Sequence, residues 1–535
     1  MFGIRLISPL HPFFVAVYPI LFLYSYNITL FPGHVIIRPI CLMLSLVVLF
    51  LVLLGRILGN WRKAGVLISF VLVVFFSFGH VLGGFGDEFQ TVELAGISFQ
   101  RLLVMTWLII FAVGSFVIIR CRCNLSAVTQ FLNVTAGLLV AYNVAIITVQ
   151  AISRTGLELA SPAAKHQVAA VDVDTQLAPH IFYIILDGFA RQDVLDRIYQ
   201  YDNSAWLQSL EESGFYIASE SQANYLHTAE SIASSLNFDY LDKILPGIDK
   251  DSDDQALLYP AIKNSKASKI LKDIGYTQVG FSTGFAGTEI VDSDVYLEHA
   301  FGADEFEREI INQTWLPYLM RVFSKGGHYR AFHFHRQRIH FIFRKLEELA
   351  ASAKPMFVFA HILSPHPPFI FGRNGEEVAV SPFLAWWDGA HLLHGDRELA
   401  EQYRHYYKEQ LIYISKLLKS TVEELVNQKE RPIVIVVQAD HGPGSDFDQE
   451  SLQKSNIWER ASILSAYHVE KSVQAKLYPT ISPVNSFRII FNHYFGSNYP
   501  ILPDVTYFTS WSRPFQYVPL EGPAKVGDSR PAPSK

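Results

Sequence analysis

Residues 433–442 read IVIVVQADHG, a continuously apolar run that ends in an Asp-His-Gly triplet. Similar runs occur twice more, in IFYIILDG at 181–188 and in MFVFAHI at 356–362. Continuous apolar runs of this length are typical of strands that are buried on both faces of a parallel sheet. We therefore predict three core strands, which are Ile181–Leu186, Met356–Ile362 and Ile433–Ala439.

Helical patterns separate these three runs, which favours an α/β domain with a largely parallel sheet. The predicted helices are Gln192–Ser213, Lys263–Ile274, His333–Ala351 and Leu399–Asn427. A further helix is expected from Thr228 to Leu236. We expect this domain to span residues 180–521, with a disordered tail at 522–535.

Polar side chains stand at the ends of all three predicted strands. They are Asp187, His361 and the Asp440–His441 pair. Ligands of parallel sheets bind beyond the carboxyl ends of the strands, so these side chains are expected to converge on one site. An Asp-Gly pair after a strand is often only a turn, but the three strand ends together favour a functional site.

The first 150 residues have a different composition from the rest. They contain five apolar stretches near the length of about 20 residues that crosses a bilayer. The stretches are Pro12–Phe31, Val35–Gly55, Gly65–Phe85, Leu102–Ile119 and Ala127–Val149. We predict an all-α domain of five transmembrane helices over residues 1–150, followed by a linker at 151–179.

The charges in the loops predict an orientation for these helices. Arg56, Arg62 and Lys63 lie between the second and third stretches, and Arg120 and Arg122 lie between the fourth and fifth. Basic loops stay in the cytoplasm, so the N-terminus is expected inside and the α/β domain outside. Cys121 and Cys123 in the second basic loop are then predicted to be reduced thiols.

The net charge excludes a general nucleic-acid binder. The whole chain carries −6, residues 1–150 carry +5, and residues 151–535 carry −11. A predominantly acidic outer domain lacks the basic surface that binds a phosphate backbone. The expected partners are instead the lipid bilayer and a membrane lipid or lipid-linked substrate.

The strand ends and one further segment together resemble a known family. Asp187 follows a strand, Thr228 comes about 40 residues later, His361 and His366 lie in HILSPHPPF, and Asp440 opens Asp-His-Gly. This set resembles the sulfatase branch of the alkaline-phosphatase superfamily over roughly residues 180–500. With the apolar spans before it, the chain resembles membrane-anchored lipoteichoic-acid synthases and phosphoethanolamine transferases.

The resemblance implies a role for each matching residue. Asp187, Asp440 and His441 match ligands of a divalent metal, and Thr228 matches a nucleophile that also contacts the metal. His361 and His366 match histidines that hold the transferred group or a second metal. Asn224, shortly before the nucleophile, is assigned to substrate binding. From the residues alone, Thr228 is also readable as an ordinary helix N-cap, and both interpretations remain open.

One departure from the family pattern limits the reactions that the site is expected to catalyse. Formylglycine-dependent sulfatases carry Cys or Ser in a Cys/Ser-x-Pro-x-Arg sequence, whereas Ala229, Glu230 and Ser231 follow Thr228 here. All three cysteines of the chain precede residue 150. The resemblance therefore implies phospho-group chemistry on a threonine.

The sequence thus predicts a multi-pass protein of the cell membrane with an extracytoplasmic catalytic domain. We expect a metal-dependent transferase or hydrolase that acts on phospho-groups of envelope lipids or polymers. Carboxylates with an imidazole favour Zn²⁺ or Mn²⁺ over Mg²⁺. The alternatives are a sulfuric-ester hydrolase without formylglycine and a catalytically silent envelope scaffold.

Overall fold

A computed structural model of the chain gives the architecture. It describes most of the chain, including the regions that carry the predicted site. The described residues are 8–28, 31, 33–84, 93–94, 97–160, 178–299, 305–316, 327–378, 383, 388–393, 396–428 and 430–520. The predicted tail at 522–535 and most of the predicted linker lie outside them.

The chain forms two compact units. The first contains residues Met1–Lys165 together with Ala303–Gly327, and the second contains His166–Gly302 together with His328–Lys535. The first unit is helical, and the second is a mixed α/β domain with a mostly parallel sheet, as predicted.

The described part of the first 160 residues contains five α-helices. They are α1 (His11–Tyr26), α2 (Ile37–Leu58), α3 (Trp61–Gly84), α4 (Phe99–Arg120) and α5 (Ser126–Ala160), with a 3-10 turn at Gly33–Ile36 and a short hairpin of Glu93–Leu94 and Ile97–Ser98. Among the described residues, four apolar segments are long enough to cross a membrane: Gly33–Leu58, Trp61–Leu82, Arg101–Arg120 and Ser126–Gln150.

The first predicted span is shorter in the structure than in the sequence prediction. α1 ends at Tyr26, and Asn27 caps it, where the prediction had continued to Phe31. Its 16 residues extend about 24 Å, which is less than the hydrocarbon thickness of about 30 Å. Cys121 and Cys123 form a disulfide, so the prediction of two reduced thiols is wrong.

Buried polar contacts tie α1 to its neighbours. The Ser25 hydroxyl donates to the Asn143 side chain of α5 at 2.8 Å, and His11 Nδ1 lies 2.6 Å from the Ser69 hydroxyl of α3. Hydrogen bonds between side chains compensate for the burial of polar groups among apolar helices. These contacts fix the rotation of α1 in the unit.

A segment from the second half of the chain also belongs to the helical unit. The helix Glu305–Asn312, here called the excursion helix, buries Phe306 against the rings of Tyr24 and Phe31. Glu307 forms an ion pair with Arg38. The sequence did not predict this docking, because an amphipathic helix has the same pattern on any apolar surface.

A glycine permits the close approach of the segment that follows the excursion helix. The backbone N–H of Gly79 in α3 lies 2.9 Å from the carbonyl oxygen of Gln313. A Cβ atom at Gly79 would stand 2.7 Å from Gln313 Cα, which is backbone and not a flexible side-chain end. A side chain at this position therefore forces the two segments apart.

The α/β unit is built on one seven-stranded sheet. In chain order the strands are β1 (His180–Leu186), β2 (Tyr216–Ile217), β3 (Thr277–Phe281), β4 (Val295–Leu297), β5 (Met356–Ile362), β6 (Ile433–Gln438) and β7 (Ser465–His468). The order across the sheet is β2-β7-β6-β1-β5-β3-β4, in which β6, β1, β5, β3 and β4 are parallel. A separate hairpin pairs β8 (Tyr507–Ser510) with β9 (Arg513–Pro519).

The three predicted core strands occupy the centre of this sheet. β1 lies between β5 and β6, and all seven residues of β1 and β5 are buried. The register pairs Ile185 with His361 on one side and with Gln438 on the other. Asp187 lies two residues after Ile185, and Asp440 lies two residues after Gln438. Because the strands are parallel and their side chains alternate between the two faces, both residues lie together at the same edge of the sheet.

Helices cover both faces of the sheet. In chain order they are Gln192–Arg197, Ser204–Glu212, α6 (Thr228–Asn237), Leu241–Ile244, Tyr259–Lys263, Lys266–Asp273, Gly327–Leu349, Gly389–Leu392, Arg397–Asn427, Ile457–Ala461, Lys471–Gln474 and Pro483–Tyr494. The predicted helix Gln192–Ser213 is two helices, because Gln200 adopts a positive φ of 51° between them.

We expect a methyl group at Gly79 to displace the excursion helix. Phe31→Cys and Phe306→Cys, placed in a background without native cysteines, should be joined by a short bifunctional thiol reagent, because the two native ring centroids lie 5.2 Å apart. Adding Gly79→Ala should reduce the cross-linking yield severalfold.

Gly137→Ala is the matched control. It is also a helical glycine, but a Cβ there meets only the Phe14 ring at 3.6 Å, which is an ordinary contact. Equal yields in the two alanine variants would show that Gly79 does not govern the docking.

Candidate active site

A tight turn after β1 sets the position of Asp187. Its backbone N–H donates to the Ile362 carbonyl at 3.0 Å, which continues the pairing with β5 past the end of the strand. Gly188 then takes a positive φ of 73°, a conformation that favours glycine, and its N–H donates to Asp440 Oδ1 at 3.1 Å. The Asp187–Gly188 pair is therefore a turn. It also places the Asp187 carboxylate close to that of Asp440.

Three side chains form a buried group at this edge of the sheet. Asp187, His361 and Asp440 each offer a ligand atom within 4.8 Å of the others. Asp187 Oδ1, Asp440 Oδ2 and His361 Nε2 are buried and have no hydrogen-bond partner in the structure. Unsatisfied buried carboxylate and imidazole atoms are unfavourable unless a ligand binds them. This donor set fits a divalent cation.

His361 is oriented by a residue that the sequence analysis did not identify. Its Nδ1 lies 2.9 Å from the Thr288 hydroxyl, and its Nε2 lies 3.4 Å from Asp187 Oδ2. A hydrogen bond to the far nitrogen of a histidine fixes which nitrogen is available to a ligand. Thr288 ends a 3-10 turn of three residues, a context with no signal in the sequence.

His441 stands between the carboxylates and Thr228. Its Nδ1 lies 2.9 Å from the Gly442 carbonyl, which only accepts hydrogen bonds, so this nitrogen carries the hydrogen. The Nε2 lone pair is 3.3 Å from Asp440 Oδ2, 3.7 Å from Asp187 Oδ1 and 3.1 Å from Thr228 Oγ1. In this tautomer the Thr228 hydroxyl donates to His441.

Thr228 is a partly exposed residue within a buried segment. From Ser221 to Phe238 every residue is buried except Thr228, which is half-buried. Thr228 is the first residue of α6, where anions are favoured by the helix dipole and by free backbone N–H groups. One turn later Ser231 donates to the Asp440 carbonyl at 2.7 Å, which holds the start of α6 against the end of β6.

His366 completes the wall next to Asp187. Its backbone N–H donates to the Asp187 carbonyl at 3.0 Å, and its Nδ1 donates to the Pro367 carbonyl at 2.6 Å. Its ring centroid lies 6.4 Å from that of His441. Burial lowers the pKa of His366, but the charges of Asp187 and Asp388 outweigh it and raise the pKa above the ordinary value.

Burial and the neighbouring charges shift the pKa values of Asp187 and His441 in the directions that suit metal binding. Burial raises the pKa of Asp187, but the nearby His366, His361 and His441 outweigh it and hold the pKa below the ordinary value. Burial and the positive charge of Arg460 lower the pKa of His441. An ionised carboxylate and a neutral imidazole are the forms that ligate a cation.

A buried ion pair braces the loops around the site. Arg460 pairs with Asp388, donates through Nε to the Leu226 carbonyl at 2.9 Å, and donates to the Gly442 carbonyl at 3.0 Å. It thereby joins the segment before Thr228 to the segment after Asp440. The sequence analysis missed it, because Arg460 lies in a five-residue helix far from every motif.

Asn224 makes structural contacts. Its amide nitrogen donates to the Ser482 hydroxyl at 3.0 Å and to the Val505 carbonyl at 2.9 Å, and its oxygen accepts from the Val484 N–H at 2.9 Å. These bonds anchor the segment that leads to Thr228. Its assignment to substrate binding stays a prediction.

The structure therefore brings most of the predicted residues together. Asp187, Thr228, Asp440 and His441 form one group, and His361 joins it as a neighbour of both carboxylates. His366 lies at its border. The donors at this site are two carboxylates, two imidazoles and one hydroxyl, a set that can hold a cation beside an alcohol nucleophile.

The family comparison matches this region of the chain. A family model described as Sulfatase matches residues 179–467, which is more than half of the chain. The match confirms the predicted resemblance to the sulfatase branch of the alkaline-phosphatase superfamily. The comparison with curated proteins gives no significant match.

Several solved structures are similar to the chain at low identity. The integral membrane lipooligosaccharide phosphoethanolamine transferase A of Neisseria meningitidis is 11% identical, with 90% of this chain and 94% of that chain covered and a TM-score of 0.35. The periplasmic domain of a phosphoethanolamine transferase of Campylobacter jejuni is 11% identical, with 59% and 89% covered and a TM-score of 0.34. A putative sulfatase of Bacteroides thetaiotaomicron is 12% identical, with 60% and 72% covered and a TM-score of 0.38.

Gly442 is expected to be indispensable for the shape of the site. A Cβ there would lie 2.2 Å from the Glu459 carbonyl oxygen and 3.0 Å from that of Arg460. Gly442→Ala should lower the free energy of unfolding by about 1–3 kcal/mol through this overpacking. Chemical denaturation of the purified protein, followed by tryptophan fluorescence, measures the change.

Gly247→Ala is the control, since a Cβ at Gly247 meets nothing within 4 Å. It should change the free energy by less than about 0.5 kcal/mol. A Gly442→Ala protein as stable as the Gly247→Ala protein would contradict the close approach of these segments.

Proposed function

The chain belongs to the sulfatase family, and we propose that it is a membrane-anchored, metal-dependent enzyme that moves a phospho-group of envelope lipids or polymers through Thr228. The observation that carries the proposal is the position of the Thr228 hydroxyl. It is the accessible group of a buried segment, and it lies 3.1 Å from His441 Nε2 beside the unsatisfied carboxylates.

The proposed cation site uses the donors described above. Asp187, Asp440 and His441 would hold the ion as the sequence predicted, and the position of His361 supports adding it as a further ligand. Mixed carboxylate and imidazole ligands favour Zn²⁺ or Mn²⁺ over Mg²⁺. When bound, such an ion acts as a Lewis acid that neutralises phosphoryl charge and lowers the pKa of a neighbouring hydroxyl.

In the first half-reaction, Thr228 Oγ attacks the phosphorus of a phosphodiester. A bond forms between Oγ and phosphorus, the bond to the leaving alcohol breaks, and the alcohol keeps the electron pair. The Thr228 proton passes to solvent, and the leaving oxygen takes a proton from His366, whose Nδ1 is fixed on Pro367 while Nε2 stays available. The N-terminus of α6 stabilises the negative oxygens.

In the second half-reaction, a hydroxyl group discharges the phospho-threonine. An acceptor alcohol makes the enzyme a transferase, and water makes it a hydrolase. Both reactions proceed through the same phospho-threonine, so an experiment on the first half-reaction tests both of them.

The composition of the catalytic domain favours phospho-group chemistry over formylglycine sulfatase chemistry. No cysteine occurs after residue 123, and the residues after Thr228 lack the Pro and Arg of the formylglycine sequence. A threonine hydroxyl attacks phosphorus directly, whereas formylglycine chemistry requires an aldehyde that threonine does not supply. Sulfate-ester hydrolysis remains the alternative reaction, and it is assayed alongside phosphodiester cleavage.

The membrane spans explain where the substrate is encountered. In the part of the chain that the structure describes, four apolar segments have the length and composition to cross a bilayer. We propose that the basic loops face the cytoplasm, where the Cys121–Cys123 disulfide would be reduced, and that the catalytic domain lies outside, as the charge pattern predicts. Tethering to the bilayer then keeps the site close to lipid headgroups and raises their effective concentration.

Thr228→Ala should abolish the phospho-enzyme. The full-length protein in detergent, mixed with a phospholipid that carries a radiolabelled headgroup phosphate, should become labelled in an acid-stable form at Thr228. Thr228→Ala should lower labelling by about three orders of magnitude, because the nucleophile is lost. Thr228→Ser is the matched control, since it keeps the hydroxyl and should keep measurable labelling.

Labelling of Thr228→Ala at the wild-type rate would reject the mechanism. A wild-type protein that hydrolyses a sulfate ester faster than a phosphodiester would replace it with the sulfatase alternative. No turnover of either substrate, together with no bound cation, would favour the silent scaffold.

Removing one carboxylate should release the cation. Asp440→Asn is expected to weaken binding of Zn²⁺ or Mn²⁺ at least about tenfold, because a ligand charge is lost from a buried site. Elemental analysis after dialysis measures the metal content of the purified protein. Asp242→Asn is the control, since this carboxylate is half exposed at the surface. Equal metal content in the two variants would place the cation elsewhere.

A further inference from the structure

We infer that a cavity in the helical unit binds the phosphate group of an anionic phospholipid. The cavity has a volume of about 670 Å³ and lies where α1, α3 and α5 begin. The polar part of its lining, here called the donor wall, consists of Ser8, Asn60, Arg62 and Asn124. All four residues belong to the first unit, so the inference does not rest on the function proposed for the α/β unit.

Arg62 brings an unpaired positive charge to the donor wall. The residue is half-buried, and it has no hydrogen bond or ion pair with any residue that the structure describes. No Asp or Glu occurs in the sequence segments 1–11, 55–66 and 118–130, which contain every lining residue except Phe13 and Leu51. An arginine without a carboxylate partner is a strong donor to phosphate, which its planar guanidinium group matches in geometry.

The two asparagines of the donor wall also present donors. Asn60 Oδ1 accepts from the Lys63 N–H at 3.0 Å, and Asn124 Oδ1 accepts from the Ser126 N–H at 3.0 Å. Each amide oxygen is therefore engaged at the start of a helix, which leaves the amide NH₂ group as a donor. Neither NH₂ group has a partner among the described residues. The donor wall thus offers several donors and no carboxylate, a set that favours an anion.

The helix ends around the cavity add to this preference. α1, α3 and α5 begin here, and the positive end of a helix dipole favours negative charge. α2 and α4 end here, but basic side chains compensate for their negative ends. Arg56 lies in the last turn of α2, and Lys63 Nζ donates to the Ile119 carbonyl of α4 at 3.0 Å. The electrostatic potential of the cavity is therefore expected to be positive.

The remaining lining is apolar, which favours a lipid over a free phosphate ion. Leu51 lines the cavity seven residues before α2 ends at Leu58, so the cavity extends about 10 Å along this helix. Trp61 lines it at the level of the basic loops and is 48% exposed, the placement of an aromatic residue at the headgroup level. With the orientation proposed above, this is the cytoplasmic leaflet, whose anionic lipids attract basic segments.

Hydrogen bonds hold the wall of the cavity in place. Asn133 of α5 accepts from the backbone N–H groups of Leu10 at 3.0 Å and His11 at 2.7 Å, and it donates to the Ser8 carbonyl at 3.1 Å. These three bonds attach the start of α1 to α5, while Lys63 attaches α3 to α4. A lipid phosphate therefore meets a wall that is already ordered, which lowers the entropy cost of binding.

The first experiment counts bound lipids on the full-length protein in detergent by native mass spectrometry. Phosphatidylglycerol should bind at least about fivefold more tightly than phosphatidylcholine, because the choline ammonium is repelled by the basic cavity. Arg62→Gln should weaken phosphatidylglycerol binding about fivefold. Arg56→Gln is the matched control, since Arg56 is exposed, lies six residues earlier and does not line the cavity. Equal affinities in the two variants, or equal affinities for the two lipids, would overturn the inference.

The second experiment changes the charge of the cavity without changing the size of the new side chain. Gly59 lines the cavity with a positive φ of 62°, and a Cβ there meets nothing within 4 Å. Asp and Asn both tolerate this conformation. Gly59→Asp should weaken phosphatidylglycerol binding at least about fivefold by repulsion, whereas Gly59→Asn should weaken it less than about twofold. An equal loss in both variants would contradict an anion site.

Inorganic phosphate distinguishes a lipid from a soluble anion. Added in large excess to the same samples, it should displace little phosphatidylglycerol, because it lacks the acyl chains that contact the apolar lining. Retention of the lipid under these conditions supports the inference. Displacement by phosphate at a concentration equal to that of the lipid would assign the cavity to a soluble anion and overturn the lipid assignment.

Discussion

The site depends on three ligand atoms that are buried and left without hydrogen bonds. Two carboxylates and an imidazole at the ends of β1, β6 and β5 are far more unfavourable in an apolar interior than in water. The protein nevertheless positions one ligand atom from each of Asp187, His361 and Asp440 within 4.8 Å of the others. A divalent cation bound there would offset this cost, and we propose that the stability and the chemistry of the site both depend on such an ion.

The rest of the domain holds these atoms in register. The central strands are paired over six residues on each side of β1, and such a sheet does not adjust easily around a ligand. Ser231 and Arg460 then attach the start of α6 and the surrounding loops to the end of β6. Thr228 is thereby placed by contacts from several segments, which is the preorganisation that its proposed role as a nucleophile requires.

The strands and the residues at their ends were predictable from the sequence, whereas the supporting residues were not. The predicted strand Met356–Ile362 has the observed bounds, and Ile181–Leu186 differs by one residue, because burial on both faces gives a continuous apolar run. Thr288 and Arg460 lie in a short turn and a short helix, where no periodic pattern exists. The docking of Phe306 was also unpredictable, since its pattern does not identify the surface that it covers.

The most direct measurement is anomalous X-ray scattering from crystals of the full-length protein at the zinc and manganese absorption edges. The account predicts one peak within about 2.0–2.3 Å of carboxylate oxygens of both Asp187 and Asp440 and of an imidazole nitrogen. Thr228 Oγ should border the same peak. Crystals grown with either metal that show no peak there, with the carboxylates hydrogen-bonded only to protein, would contradict it.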